Sequence, residues 1–187
     1  MDDPALLVID IQNDYFPGGA NPLYKAGEAA AKASKLADFF RGKGWPVVFI
    51  QHFSNRAGSR FFVPGTPGVE FEKGVRPRVG EKIVPKHFPN AFRETDLQAH
   101  LQGLGVKNLV VCGMMTHMCV DSTVRAAKDL GYEVRVAGDA CATCDLAIWG
   151  KYVNAEQIHK SFLAALAYFY AGVILTDEFI EKNRGTE

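Results

Sequence analysis

Asn108-Leu109-Val110-Val111-Cys112-Gly113-Met114-Met115-Thr116-His117-Met118-Cys119-Val120-Asp121 is the stretch whose reading decides the fold. Its first five residues form an apolar run with the look of a buried strand, and the DSTVRAAKDL segment over 121–130 has the pattern of a helix. The linker between them is short, so the chain passes from strand to helix within one turn. That is the step from which parallel α/β sheets are built. Cys119 falls in the turn, close to the start of the helix. Unpaired backbone N–H groups and the positive end of the helix dipole favour an anion there, so a lowered thiol pKa is expected.

Working outward, the same alternation recurs along the chain. Strands are expected at 5–11, 47–51, 83–84, 108–113, 133–137 and 173–175, and helices at 27–41, 95–104, 121–130 and 154–171, with a short helix at the C-terminal end. Thr95 with Gln98, and Asn154 with Gln157, are the expected helix-start pairs. Near-continuous apolar strands separated by helices predict a three-layer, Rossmann-like α/β fold. Its sheet should have about six parallel strands covered on both faces, all within one domain over 1–187.

The overall composition narrows the function classes. Twenty-one basic residues balance 21 acidic ones, which leaves no electrostatic footprint for nucleic acid. No apolar stretch is long enough to span a bilayer. Four cysteines in 187 residues do not make a disulfide framework, so a reducing cytoplasmic setting is expected.

Parallel sheets bind ligands at the carboxyl ends of their strands. Asp10, Gln51, His52, Lys86 and the 113–119 turn all follow expected strands at that edge. Three of these residues make a chemical set. Cys119 is the candidate nucleophile, Asp10 the base that takes its proton and later returns it to a leaving amine, and Lys86 the cation that holds both anions. Phe16, His52, Phe53, Phe92 and His117 are candidate pocket walls. The segment over 53–80 is long, rich in Gly, Pro and aromatics, and suits a lid or a subunit contact. Cys141 and Cys144 have redox-motif spacing but no second pair to complete a zinc site.

Taken together, Val8-Ile9-Asp10-Ile11-Gln12-Asn13-Asp14, Pro64-Gly65-Thr66-Pro67-Gly68, Lys86 with Asn90-Ala91-Phe92, Gly113 through Val120, and Asp139-Ala140-Cys141-Ala142-Thr143 resemble the isochorismatase-like cysteine hydrolases. That superfamily includes nicotinamidases, N-carbamoylsarcosine amidohydrolases and streptothricin hydrolases. The resemblance spans essentially the whole chain. It implies a six-stranded parallel sheet, an Asp–Lys–Cys triad at Asp10, Lys86 and Cys119, and a cis peptide at Met114–Met115. The cis bond would aim the Met115 N–H, together with that of Cys119, at a developing oxyanion.

Attack on an amide carbonyl would then leave a thioester for water to hydrolyse. Where nicotinamidases carry an Asp-x-His metal pair and a further His, this chain has His52, Ser54 and Phe61. A lone imidazole is a poor divalent-metal site, so no metal and no other cofactor is expected. The expected activity is cleavage of a C–N bond in a small amide, lactam or ureido substrate, by a homo-oligomer, dimer or tetramer. Nicotinamidase-type activity, a non-catalytic scaffold and a thiol redox protein using Cys141 and Cys144 are the alternatives.

Overall fold

A computed structural model describes residues 3–185. The first strand, β1 (Ala5–Ile9), is buried at every position. Helix α1 (Ala26–Gly42) then leads back to β2 (Val47–His52), and β3 (Lys82–Lys86) follows the long 53–80 segment. Next come α2 (Leu97–Gly103), β4 (Asn108–Met114), α3 (Asp121–Asp129) and β5 (Glu133–Ala142). The chain ends with a small hairpin, β6 (Leu146–Ile148) and β7 (Lys151–Val153), then α4 (Ala155–Phe169), β8 (Gly172–Ile174) and α5 (Thr176–Arg184).

Six strands form one sheet in the order β3-β2-β1-β4-β5-β8, and each adjacent pair is parallel. Such a sheet needs helices on both faces, and the core divides accordingly. Leu6, Val8 and Phe49 pack with the Ala-rich face of α1 on one side. Leu7, Ile9 and Val111 pack with Leu97, Leu101 and Val124 of α2 and α3 on the other. Strand order reverses on either side of β1, because β1 lies between β2 and β4. A crevice opens at such a switch point, beyond the carboxyl ends of the strands.

Local signals were kept in most places and overruled in a few. Asn154 caps α4, with its side-chain oxygen accepting from the Gln157 N–H at 2.9 Å. The Thr95–Gln98 capping box does not form: α2 starts at Leu97, and the Thr95 hydroxyl instead donates to the Ala91 carbonyl at 2.6 Å. β5 runs five residues beyond its expected end, to Ala142, because a register shift against β4 lets it pair again at Gly113 and Met114. The β6–β7 hairpin has no counterpart among the expected elements. Its side chains are largely exposed, so no alternating burial pattern marked it.

Candidate active site

Three strand ends deliver the reactive side chains. Asp10 follows β1 and takes a left-handed backbone, φ 51°, a conformation that aspartate tolerates better than most residues. Lys86 ends β3, in register with His52 at the end of β2. Cys119 sits in a single π-helical turn, Thr116–Val120, fused to the start of α3, a geometry common at functional sites. The Met114–Met115 peptide before the turn is cis. Gly113 allows β4 to come this close to β1: its φ is +129°, and a Cβ there would lie 2.0 Å from the Ile9 carbonyl oxygen.

The expected triad is assembled around one ammonium. Lys86 Nζ lies 2.7 Å from Asp10 Oδ2, with neither side chain exposed, and donates to Cys119 Sγ at 3.2 Å. Its third neighbour is His52 Nδ1 at 2.7 Å. An ammonium has three N–H donors, and here three acceptors surround it. Asp10 Oδ2 is held by the Lys86 ammonium, and neither carboxylate oxygen has a further hydrogen-bond partner among the described residues, which leaves the carboxylate able to accept the thiol proton.

Electrostatics corrects one expectation. Burial pushes the Cys119 thiol up, Asp10 pushes it further, and Lys86 pulls it only part of the way back. Lys86 and Asp10 already cancel one another, so a thiolate would leave a net negative charge in a buried site. Burial therefore works against the pull of the helix N-terminus and holds the Cys119 thiol above the usual range. For Lys86, burial works against the charge, but Asp10 and Cys119 more than offset it and hold the ammonium above the usual lysine range.

Asp10, His52 and Cys119 also form a set whose donor atoms lie within 4.8 Å of one another, as a metal site would require. A divalent cation does not fit it, because Lys86 Nζ already lies at hydrogen-bond or ion-pair distance from all three. Ser54 and Phe61 complete no ligand shell either: neither side chain brings an imidazole or a carboxylate to the site.

The pocket candidates separate. Phe53 is bound through its N–H to the Lys86 carbonyl at 2.9 Å and packs partly buried against the layer that holds Tyr15, Phe62 and Met115. His117 turns toward α4, with its Nδ1 2.5 Å from the Thr143 hydroxyl and its ring edge-on to Phe162. Phe92 stacks on Tyr132 at 6.0 Å, taking its place in the apolar layer around α3. Phe16 lines a surface groove with Ala30, Ser34 and Glu72, because the 3-10 turn Asn13–Tyr15 turns Tyr15 inward instead. Cys141 is buried with its thiol on the Ala137 carbonyl, while Cys144 contacts the Met115 sulfur at 3.8 Å.

Two contributors were missed. Gln12 is fully buried and clamps His52 from both sides, accepting from its N–H at 2.8 Å and donating to its carbonyl at 3.0 Å. A glutamine two residues beyond Asp10, just after an apolar strand, was the available signal. Tyr15 is 1% exposed; burial raises its pKa most, with Cys119 and Asp10 adding to it. Its ring is fixed edge-on by Phe62 at 4.8 Å, and the Phe62 N–H is held by the Asp14 carboxylate at 2.6 Å.

The chain is similar to known proteins over most of its length. The isochorismatase domain profile matches residues 4–178. An isochorismatase family protein of Bacillus subtilis, YddQ, is 51% identical over 95% of this chain and 98% of its own length. A cysteine hydrolase from Pseudomonas syringae superposes with a TM-score of 0.90 at 26% identity, covering 96% of this chain and 92% of that one. A streptothricin hydrolase from Streptomyces noursei is 37% identical over 76% of this chain and 50% of its own. The chain belongs to the isochorismatase family, and its Asp10, Lys86, His52 and Cys119 cluster makes it a hydrolase of the cysteine-bearing kind.

Proposed function

We propose that this hydrolase cleaves a C–N bond of a small amide, lactam or ureido compound through a thioester on Cys119, without a metal ion. The observation that carries the reading is the single ammonium shared by Asp10 at 2.7 Å and Cys119 at 3.2 Å. A thiol kept protonated at rest loses its proton to Asp10 as it attacks the carbonyl carbon. The transfer leaves the net charge of the buried site unchanged, which is what the low dielectric demands. The developing oxyanion takes the Met115 and Cys119 N–H groups as donors.

When the tetrahedral adduct collapses, the C–N bond breaks and the proton on Asp10 goes to the departing nitrogen. Water then attacks the thioester, gives its proton to Asp10, and the expelled sulfur recovers that proton. The acid leaves as product and the site returns to its starting state. Similarity to a streptothricin hydrolase favours amide-type substrates over the vinyl ether of isochorismate, which needs no thiol. We place the enzyme in the cytoplasm as a homo-oligomer. Four free cysteines support the first reading. The exposed Trp149, Tyr152, Tyr168 and Phe169 support the second. No helix among the described residues is long and apolar enough to cross a membrane.

The test is a panel of primary amides, lactams and N-carbamoyl compounds, nicotinamide included, assayed for released amine or ammonia with and without a chelator. Turnover that survives the chelator, disappears in Cys119→Ala and leaves a trapped acyl mass on Cys119 supports the reading. Full turnover by Cys119→Ala, or turnover abolished by the chelator and restored by a metal, overturns it.

A further inference from the structure

We infer that His52 is a substrate-binding donor whose tautomer is set by Lys86: Nδ1 accepts from the ammonium, and Nε2–H is presented to a carbonyl oxygen of the substrate. The inference rests on the C–N hydrolase reading and assigns a fourth side chain to it.

The geometry leaves little freedom. Asp10 has no exposed surface and needs a countercharge, so the group 2.7 Å away on Lys86 is an ammonium. An ammonium has only donors, so His52 Nδ1, at 2.7 Å from it, must supply a lone pair. A neutral imidazole with a bare Nδ1 carries its proton on Nε2. Burial lowers the His52 pKa to about 4, with Asp10 opposing and Lys86, His87 and Arg56 assisting, so this neutral form holds across the working range.

Among the described residues, none accepts a hydrogen bond from His52 Nε2, and the side chain keeps 15% of its surface exposed. Phe62 packs beside the ring, with centroids 5.5 Å apart, the Lys86 ammonium holds Nδ1, and Gln12 clamps the backbone on both sides. A fixed donor beside the nucleophile, with no partner of its own, is built to meet an acceptor. It also cannot serve as the base for the hydrolytic water, since its accessible nitrogen is already protonated. That role stays with Asp10.

The experiment has two arms. In the first, nitrogen-15 NMR of the histidine-labelled full-length chain reads the ring directly. A protonated Nε2 and a bare Nδ1 from pH 8 down to pH 5 are expected; a protonated Nδ1 in that range overturns the inference.

The second arm compares alkylation of Cys119 by iodoacetamide, which carries an amide carbonyl, with thiolation by methyl methanethiosulfonate, which has none. His52→Asn keeps an acceptor near the Nδ1 position and loses the distal donor, whereas His52→Gln places an N–H near the Nε2 position. Iodoacetamide should lose about tenfold in rate with His52→Asn and recover with His52→Gln, the worth of one neutral hydrogen bond. The thiosulfonate rate should hold. Equal losses with both reagents, or no loss with either, overturn the donor role. A Cys119 inert to both reagents in the unsubstituted protein instead sinks the nucleophile reading on which the inference stands.

Discussion

Lys86 Nζ and Asp10 Oδ2 are 2.7 Å apart with both side chains fully buried, and the chemistry of the site follows from that pair. Each charge is tolerated in the core only because the other is present. Removing one partner strands the other, at a cost of about 3–5 kcal/mol. Asp10→Asn and Lys86→Met should each lower urea-unfolding stability by that order, and the double variant by much less than their sum. Additive losses in that cycle would count against a coupled pair.

The same pair governs the thiol. Because Asp10 raises the Cys119 pKa and Lys86 lowers it, the two single variants should move in opposite directions. Asp10→Asn should speed iodoacetamide modification of Cys119 at pH 7 while abolishing turnover, since the thiolate gains but its proton carrier is lost. Lys86→Met should slow modification. Peptide mass spectrometry over pH 6–10 reads both.

His52 gives the fold a sensitivity to mild acid. Its pKa falls from 6.5 to about 4 on folding, through burial first. Between those values the unfolded chain binds a proton that the native state refuses. Stability is therefore complete above pH 6.5 and declines as the pH falls toward 4. The loss at pH 5 is about 2 kcal/mol if this group acts alone. Urea denaturation at pH 7 and pH 5 should show that loss shrinking in His52→Asn; an unchanged difference would assign the acid sensitivity to other groups.

Gly113→Ala should be more damaging than any surface change. The added methyl would meet backbone, the Ile9 carbonyl oxygen at 2.0 Å, at a φ of +129°, so neither side can yield without moving β1 or β4. A loss of several kcal/mol, on the order of 4 or more, is expected. It should appear as insoluble expression or a sharply lowered Tm.

Much of this was legible along the chain because the signals are local. The apolar runs at 5–9, 47–50 and 108–112, and their alternation with helical patterns, announced a parallel sheet, and a parallel sheet places its chemistry at the strand ends. Asp10, Lys86 and Cys119 could therefore be picked out together. The β6–β7 hairpin escaped because its residues face solvent on both sides. Phe16 was offered as a pocket wall where Tyr15 is the buried ring, because a 3-10 turn decides which of the two adjacent rings points inward.

Residue types and their order in the chain thus determined the parallel sheet and the candidates Asp10, Lys86 and Cys119 at its strand ends, since each depends on periodicity and on which side chains carry chemistry. Tertiary structure alone decided how those groups meet. It set Lys86 Nζ among Asp10, Cys119 and His52, raised the thiol against the pull of the helix start, and turned His52 Nδ1 toward the ammonium. Those outcomes turn on desolvation and on distances of about 3 Å between residues dozens of positions apart. They exist only once the strands are side by side.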